Sequence, residues 1–149
     1  MSHLTSKRGV TLIEMLIVII IVAVTAAMVV PSVSKGTRRT RVNRAASLVS
    51  GDLELAFSSA ARQRKPIRVS FTSGSLSYTI SDRATGSVLI TRDFGPTSEL
   101  ALGSFSASAA VLDIYPSGIA SGPDTVSFAL GSSTRKVTVS RVGIIRGIS

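Results

Sequence analysis

Cysteine and histidine, which serve as nucleophiles, general bases and metal ligands in many enzymes, are almost absent from this sequence. The chain of 149 residues has no cysteine and one histidine, His3, which precedes a long apolar run in a stretch that could be removed. Without that stretch, Ser/His/Asp catalysis, Cys/His catalysis and ordinary zinc ligation have no residues to use. We therefore expect a protein that is not an enzyme and that binds neither a cofactor nor a metal.

One carboxylate lies where charge is costly. From Val10 to Val30 the residues are almost continuously Val, Ile, Leu, Met and Ala, and Glu14 is the only ionisable side chain among them. A carboxylate at membrane depth costs a few kcal/mol on insertion scales, and such a group is usually paired. We expect Glu14 to meet a positive charge wherever this stretch is buried.

Positive charge is the second feature with chemical consequences. The chain has 17 Lys and Arg residues against 8 Asp and Glu, a formal net charge of +9, so anionic lipid headgroups and nucleic acid are electrostatically plausible partners. The cations outside the leader concentrate in two places: Lys35, Arg38, Arg39, Arg41 and Arg44 form the first basic cluster, and Arg135, Lys136, Arg141 and Arg146 form the second. The second basic cluster is a candidate contact for DNA or another anion. A solvated helix face and a basic edge strand that discourages aggregation are the alternatives.

The apolar run is the first element that positions these groups. Its twenty-one residues, Val10 to Val30, would form a helix that matches the ~30 Å hydrocarbon core at about 1.5 Å per residue. Lys7 and Arg8 precede the run, so the positive-inside rule places the N-terminus in the cytoplasm and the bulk of the chain outside. The sequence thus predicts a single membrane span at residues 10–30.

A second helical segment is predicted over residues 31–65. Pro31 removes a backbone donor and Gly36 softens the same region, so a bend or local melting is expected between Met28 and Gly36. Apolar residues then recur every three or four positions until Pro66, which predicts an amphipathic helix with one face on a sheet. These apolar positions are Val42, Ala45, Ala46, Val49, Leu53, Ala56, Phe57 and Ala60.

From Ile67 onward the apolar period changes to two. IRVSFTSGSLSYTISD predicts two strands around Ser73-Gly74, and further strands are predicted in SVLITRDF, VLDIYPSG, DTVSFAL and RKVTVSRVGII. The segment FGPTSELALGSFSASAA has no clear period and is expected to be a loop with one edge strand. Residues 66–149 are therefore predicted to be a β-rich domain of mostly antiparallel hairpins. The fold class is α+β, with a long N-terminal helix packed on an antiparallel sheet.

Lys7-Arg8-Gly9 followed by VTLIEML resembles the class III signal of type IV pilins and type II secretion pseudopilins. The resemblance implies that a prepilin peptidase removes residues 1–9 by cutting between Gly9 and Val10, and that Val10 is then N-methylated. Glu14 would meet the N-terminal amine of a neighbouring subunit in a filament, and each charge would offset the burial cost of the other. The implied location is the bacterial inner membrane, with a periplasmic C-terminal domain, followed by the pilus or pseudopilus.

A second resemblance lies in the C-terminal half. VLDIYPSG at residues 111–118, TVSFAL at 125–130 and VTVSRVGIIRG at 137–147 are similar to the GspH/FimT family of minor pseudopilins and pilins. Two functions stay open: a type II secretion pseudopilin that contacts other pseudopilins or a secreted protein, and a FimT-like pilin that binds DNA for natural transformation. In an assembled filament, Asp52 and Glu54 could offset arginines of an adjacent subunit. A single-pass anchor with an exported β domain is the third possibility.

The DNA-binding alternative depends on the end of the chain. The FimT pattern is Gly-Arg-x-Arg, which places two guanidinium groups where they can neutralise adjacent phosphates. This chain has Gly143-Ile144-Ile145-Arg146, so it keeps the glycine and the final arginine, and Ile144 stands at the position of the first arginine. Arg141 and Arg146 are then the expected pair for an anion-binding patch.

Overall fold

The computed structural model describes residues 10–72 and 74–148, and the side chains of residues 28–32 lie outside that description. The described residues form one helix and eight strands: α1 Leu12–Gln63, β1 Ile67–Thr72, β2 Ser77–Asp82, β3 Val88–Asp93, β4 Ser104–Ala107, β5 Val111–Ile114, β6 Asp124–Leu130, β7 Ser133–Val139 and β8 Ile145–Ile148. The chain divides into two compact units, Met1–Gly36 and Thr37–Ser149. The helix therefore contributes residues to both units.

The first unit contains the beginning of α1. The Glu14 amide donates to Thr11 Oγ1 at 3.3 Å, and the Thr11 amide donates to Glu14 Oε2 at 3.5 Å. This reciprocal pair is a capping box, which satisfies amide groups that have no partner within the helix. The Thr25 hydroxyl donates to the Ile21 and Val22 carbonyls at 2.9 Å, so its polar group is satisfied by the helix itself.

Two predictions about the first half of α1 have different outcomes. Among the residues that the structure describes, no helix is long and apolar enough to cross a membrane. The span expected at residues 10–30 is therefore not confirmed and stays a prediction. The helix runs unbroken through Pro31, so the expected alternative of local melting is wrong, whereas a bend at Pro31 stays a prediction.

In the second unit, one face of α1 is buried as the sequence predicts. Val42, Ala45, Val49, Leu53 and Ala60 are each no more than 1 % exposed. They belong to the same buried cluster as apolar residues of the strands, which confirms that the amphipathic segment packs on the β domain. The helix ends at Gln63, the next residue is in the left-handed region at φ 53°, and a proline follows two residues later.

The β strands form two sheets. The first sheet has the order β3-β2-β1-β5 and the second has the order β4-β6-β7-β8, with every pair antiparallel. Aromatic rings join them: the Phe105 ring on β4 lies 5.4 Å from Phe94 and 5.6 Å from Phe128. The loop that follows β3 therefore supplies Phe94 to the core, although its sequence has no clear period. The strand predicted within that segment is β4, an edge strand of the second sheet.

The last predicted strand is two strands in the structure. RKVTVSRVGII was expected to be one element, but β7 ends at Val139 and β8 begins at Ile145. The turn between them is closed by the Gly143 amide, which donates to the Ser140 carbonyl at 3.1 Å. Gly143 has φ 78°, a conformation that glycine adopts without steric cost, and this permits the reversal. The reversal places Arg135 and Lys136 on β7, Arg141 in the turn and Arg146 on β8.

Candidate functional site

The N-terminal site residues lie where the described part of the chain begins. Gly9 lies outside the described residues, and Val10 is the first residue described and is exposed. Glu14 is exposed and caps its own helix through Thr11. Sequence reasoning missed this capping role, although Thr-x-x-Glu before an apolar run is its known signal. Cleavage after Gly9, methylation of Val10 and pairing of Glu14 with a neighbour stay predictions.

A buried carboxylate joins α1 to the first sheet. Asp52, 7 % exposed, accepts hydrogen bonds from Tyr78 Oη at 2.6 Å, Arg92 Nε at 2.7 Å and Arg92 Nη2 at 3.1 Å. Burial raises the pKa of Asp52, but the hydrogen bonds from Arg92 and Tyr78 outweigh burial and hold that pKa below its usual value. The expectation that Asp52 offsets an arginine of an adjacent subunit is wrong, because its partner is Arg92 of the same chain.

A second carboxylate joins strands of the first sheet. Asp113 on β5 accepts from Arg68 Nε at 2.7 Å and Arg68 Nη2 at 3.0 Å, across a directly paired position of β1 and β5. Arg83 Nε lies 3.2 Å from the same carboxylate, and its guanidinium lies 5.8 Å from the centre of the Tyr115 ring. The hydrogen bonds from Arg68 hold the pKa of Asp113 below its usual value. The arginines of this sheet are thus already paired within the chain.

The second basic cluster takes no part in the ion pairs of the described residues. Their acidic members are Asp52, Asp82 and Asp113, and their basic members are Lys65, Arg68, Arg83 and Arg92. Within residues 10–72 and 74–148, none of the four cations of the second cluster forms an ion pair. Among these residues the second basic cluster, like the first, therefore keeps its positive charge without a carboxylate partner.

Alternation along β7 separates neighbouring cations of the second cluster. Val137 and Val139 are buried in the core, and Arg135 shares their face of the strand. Arg135 Nε donates to Asn43 Oδ1 of α1 at 2.8 Å, so this side chain faces the helix. Lys136 points the other way and is exposed. The two residues adjoin in sequence but cannot serve one flat surface.

Arg146 on β8 is the second cation on the outer face of the second sheet. Arg146 pairs with Thr138, while Lys136 pairs with Ile148, so Arg146 and Lys136 are diagonal neighbours on one face. Arg141 lies in the turn that follows β7, beyond the paired positions. The register therefore places Arg146 with Lys136, whereas the sequence had paired Arg146 with Arg141.

Hydroxyl groups surround these two cations. The strand register places Ser106, Thr125, Ser127, Thr134 and Thr138 on the same face as Lys136 and Arg146. Asp124, at the start of β6, is buried on the opposite side and accepts hydrogen bonds from Ala109 N and Thr125 N. Among the described strand residues of this sheet, no carboxylate lies on the outer face. We call this surface the hydroxyl-cation face.

Two family models match this chain. Residues 45–143 match the family described as type II transport protein GspH, and residues 4–30 match the prokaryotic N-terminal methylation motif. The methylation motif indicates a membrane-anchored precursor with an exposed C-terminal domain, processing by a prepilin peptidase, and assembly with pilin-like subunits. Among curated proteins, no sequence matches the chain significantly.

Solved structures share the fold. The type IV minor pilin FimU of Pseudomonas aeruginosa is 20% identical with a TM-score of 0.60, over 76% of this chain and 92% of that chain. The minor pseudopilin EpsH from the type 2 secretion system of Vibrio cholerae is 16% identical with a TM-score of 0.55, over 73% of this chain and 97% of that chain. These likenesses confirm the predicted fold, a long N-terminal helix packed on an antiparallel β domain.

Proposed function

Because the chain belongs to the GspH family of type II transport proteins, we propose that it is a minor pseudopilin of a type II secretion system. A prepilin peptidase removes residues 1–9, Val10 is methylated, and the apolar run at residues 10–30 holds the subunit in the inner membrane until it enters the pseudopilus. The observation that carries the proposal is one chain with both an N-terminal methylation motif and a GspH domain.

Glu14 has two successive roles in this proposal. Before assembly its carboxylate is satisfied locally, because it accepts the Thr11 amide in the capping box. During assembly the N-terminal ammonium of a neighbouring Val10 supplies the opposite charge, and the pair is favourable only if both charges are buried together. A subunit in the wrong register would leave the carboxylate unpaired, so the pair selects the correct register.

The second unit supplies partner specificity. The first sheet and α1 are held together by internal ion pairs at Asp52 and Asp113, which orient this part of the domain without a partner. The hydroxyl-cation face has no such pairing among its described residues and is free for contact with other pseudopilins or with a secreted protein. Lys136 and Arg146 are the cations that we expect at that contact.

Processing and assembly can be tested in one co-expression system. With a prepilin peptidase present, intact-mass measurement should show loss of residues 1–9 and one added methyl group, and Gly9→Ala should prevent the loss. With the other pseudopilins present, a photo-crosslinker at position 136 should join the subunit to a neighbour. The same crosslinker at Thr85, an exposed turn position of the first sheet, is the matched control. Normal cleavage of Gly9→Ala would contradict the processing step, and an uncut wild-type chain would favour a plain single-pass anchor.

One observation favours a second candidate function, a FimT-like minor pilin that binds DNA. Lys136 and Arg146 lie on one open face with hydroxyl groups around them, and both groups can contact phosphate oxygens. Binding of the full chain in neutral detergent to short duplex DNA should then weaken with salt, with a log–log slope near −2 from two phosphate contacts. The Lys136→Gln/Arg146→Gln pair should remove that slope, whereas Arg141→Gln should not. Absence of binding at low salt would exclude this candidate.

A further inference from the structure

A pocket that borders the hydroxyl-cation face at Thr134 contains one arginine from each of the two basic clusters. It has a volume of about 270 Å³ and lies between α1 and the β6–β7 hairpin. Its lining consists of Arg39, Val42, Asn43, Ser132, Ser133, Thr134 and Arg135. The lining holds two guanidinium groups, three hydroxyls and no carboxylate. We call it the helix–hairpin pocket.

Asn43 orients one of the two guanidinium groups. Asn43 Oδ1 accepts the Arg135 Nε–H at 2.8 Å, which fixes the plane of the Arg135 side chain. Among the described residues, no hydrogen bond or ion pair engages the remaining Arg135 nitrogens or the Arg39 guanidinium. Arginine presents several donors in a planar fork that suits phosphate oxygens. The pocket is thus rich in donors and lacks a protein anion.

The hairpin turn is held close to a third arginine. Gly131 is the first residue of the two-residue loop that joins paired Leu130 and Ser133, and its φ of 61° suits that position. A Cβ at Gly131 would lie 2.8 Å from Arg38 Nη1, so the Arg38 guanidinium lies directly over the turn. Arg38 therefore adds positive charge next to the Ser132 edge of the pocket.

We propose that the helix–hairpin pocket binds the phosphate of an anionic lipid headgroup. Its volume is near the lower limit for small-molecule sites, which suits a single headgroup phosphate. Arg39 and Arg135 make charge-assisted hydrogen bonds to the phosphate oxygens, and the hairpin hydroxyls contact the remaining oxygens. The identity of the lipid as the phosphate source rests on the membrane anchoring proposed above.

Two observations favour a lipid over nucleic acid at this pocket. The pocket is a concave site between a helix and a hairpin, whereas duplex DNA presents a continuous row of phosphates that calls for an open surface. In sequence, Arg39 follows the end of the apolar run by only nine residues, and basic residues next to a membrane segment attract anionic lipids. The hydroxyl-cation face, not this pocket, is the surface that suits DNA.

The test uses the full chain in neutral maltoside micelles and calorimetric titration with dihexanoyl-phosphatidylglycerol. Arg39→Gln is the first variant because Arg39 is exposed and its replacement should not affect folding. Arg135→Gln is the second, and the pair Lys136→Gln/Arg141→Gln is the control, which removes twice the charge of either pocket variant but outside the pocket. We expect each pocket variant to weaken phosphatidylglycerol binding about fivefold, as one cation near a lipid surface would. The control pair should change it less than twofold.

Other probes distinguish the sources of phosphate. Inorganic phosphate and short duplex DNA are titrated in the same way, and wild type should bind both more weakly than phosphatidylglycerol at this pocket. Equal losses in the pocket and control variants, no loss in Arg39→Gln, or DNA or free phosphate as the tightest pocket ligand would each overturn the proposal. Flotation with phosphatidylcholine vesicles reports anchoring separately: a failure to float would refute the membrane anchoring and leave the micelle titration to decide the pocket.

Discussion

The Asp52 network allows a quantitative prediction about how α1 is held on the first sheet. Replacing Arg92 by alanine leaves a carboxylate that is 7 % exposed with only the Tyr78 hydroxyl as a partner. Breaking a buried ion pair on one side costs roughly 3–5 kcal/mol of unfolding free energy. The Arg92 side chain is 41% exposed, so water can enter where it stood and lower that cost. We expect Arg92→Ala to destabilise the domain by about 3 kcal/mol.

The other members of the network should cost less. Tyr78→Phe removes one hydrogen bond and leaves both Arg92 bonds to Asp52, so we expect a loss of about 1–2 kcal/mol. Asp52→Asn keeps the volume and one acceptor, and Arg92 can turn its charge to solvent, so we expect about 2 kcal/mol. The predicted order of destabilisation is Arg92→Ala, then Asp52→Asn, then Tyr78→Phe.

The same network predicts how the difference in unfolding free energy between wild type and Arg92→Ala depends on pH. The folded-state pKa of Asp52 lies below its ordinary value of 3.8, so its contribution is present above about pH 4 and is lost as pH falls through the folded pKa. Without Arg92, burial raises that pKa, and the variant regains stability once Asp52 is protonated. The deficit of Arg92→Ala should therefore shrink between pH 6 and pH 3.

Urea unfolding of the full chain in neutral detergent, followed by far-ultraviolet circular dichroism, measures these differences. Arg62→Ala is the matched control, because Arg62 is exposed and outside the described ion pairs, and it should change the unfolding free energy by no more than about 0.5 kcal/mol. A Tyr78→Phe loss as large as that of Arg92→Ala, or a deficit that does not change with pH, would refute the ion-pair account.

Three further predictions follow from single sites. Glu14→Gln and Glu14→Ala both remove the charge that pairs with the neighbouring ammonium, so both should reduce filament incorporation. Only Glu14→Ala also removes the capping acceptor, so only that variant should reduce N-terminal helicity. Wild-type incorporation of the Gln variant would contradict the pairing role. Gly143→Ala places a Cβ 3.1 Å from the Phe57 ring at φ 78°, so unfolding measurements should show a loss of about 1–3 kcal/mol, against little change for the open Gly147→Ala control. Asp124→Ala leaves Ala109 N without its side-chain acceptor and removes one of the two acceptors of Thr125 N, the other being Ser108 Oγ, so it should cost about 2 kcal/mol, more than Asp124→Asn, by the same assay.

Local pattern predicts the elements well because their physical causes are local. The apolar period of α1 identifies Val42, Val49 and Leu53 as core residues, and the same period places Asp52 on the buried stripe. The partner of Asp52 could not be found in this way. Arg92 lies 40 residues away on β3, and which strand faces a helix is decided by the assembled sheet, not by the sequence near either residue.

The candidate sites also depend on contacts between distant residues, which local sequence does not predict. Lys136, Arg141 and Arg146 were grouped by sequence proximity, but the positive φ at Gly143 turns the chain and changes which cations are neighbours. The helix–hairpin pocket has no sequence signal at all, since Arg39 and Arg135 belong to elements at opposite ends of the second unit. By contrast, the leader junction and Glu14 form a short contiguous motif, and the family resemblance drawn from it is confirmed.

Because the cations are divided between two surfaces, we predict that lipid binding at the pocket and partner binding at the hydroxyl-cation face are independent of each other. Arg135 faces α1 and Lys136 faces away, so the pocket and the hydroxyl-cation face share the Thr134 hydroxyl but no cation. If lipid binding belongs to the pocket and partner binding to the face, the Arg39→Gln/Arg135→Gln pair should weaken phosphatidylglycerol binding and leave crosslinking to neighbours unchanged. The Lys136→Gln/Arg146→Gln pair should do the reverse, and the quadruple variant should show the sum of both effects in free energy. If both pairs reduced both activities equally, net charge would be the cause, and neither surface would have the specific role assigned to it.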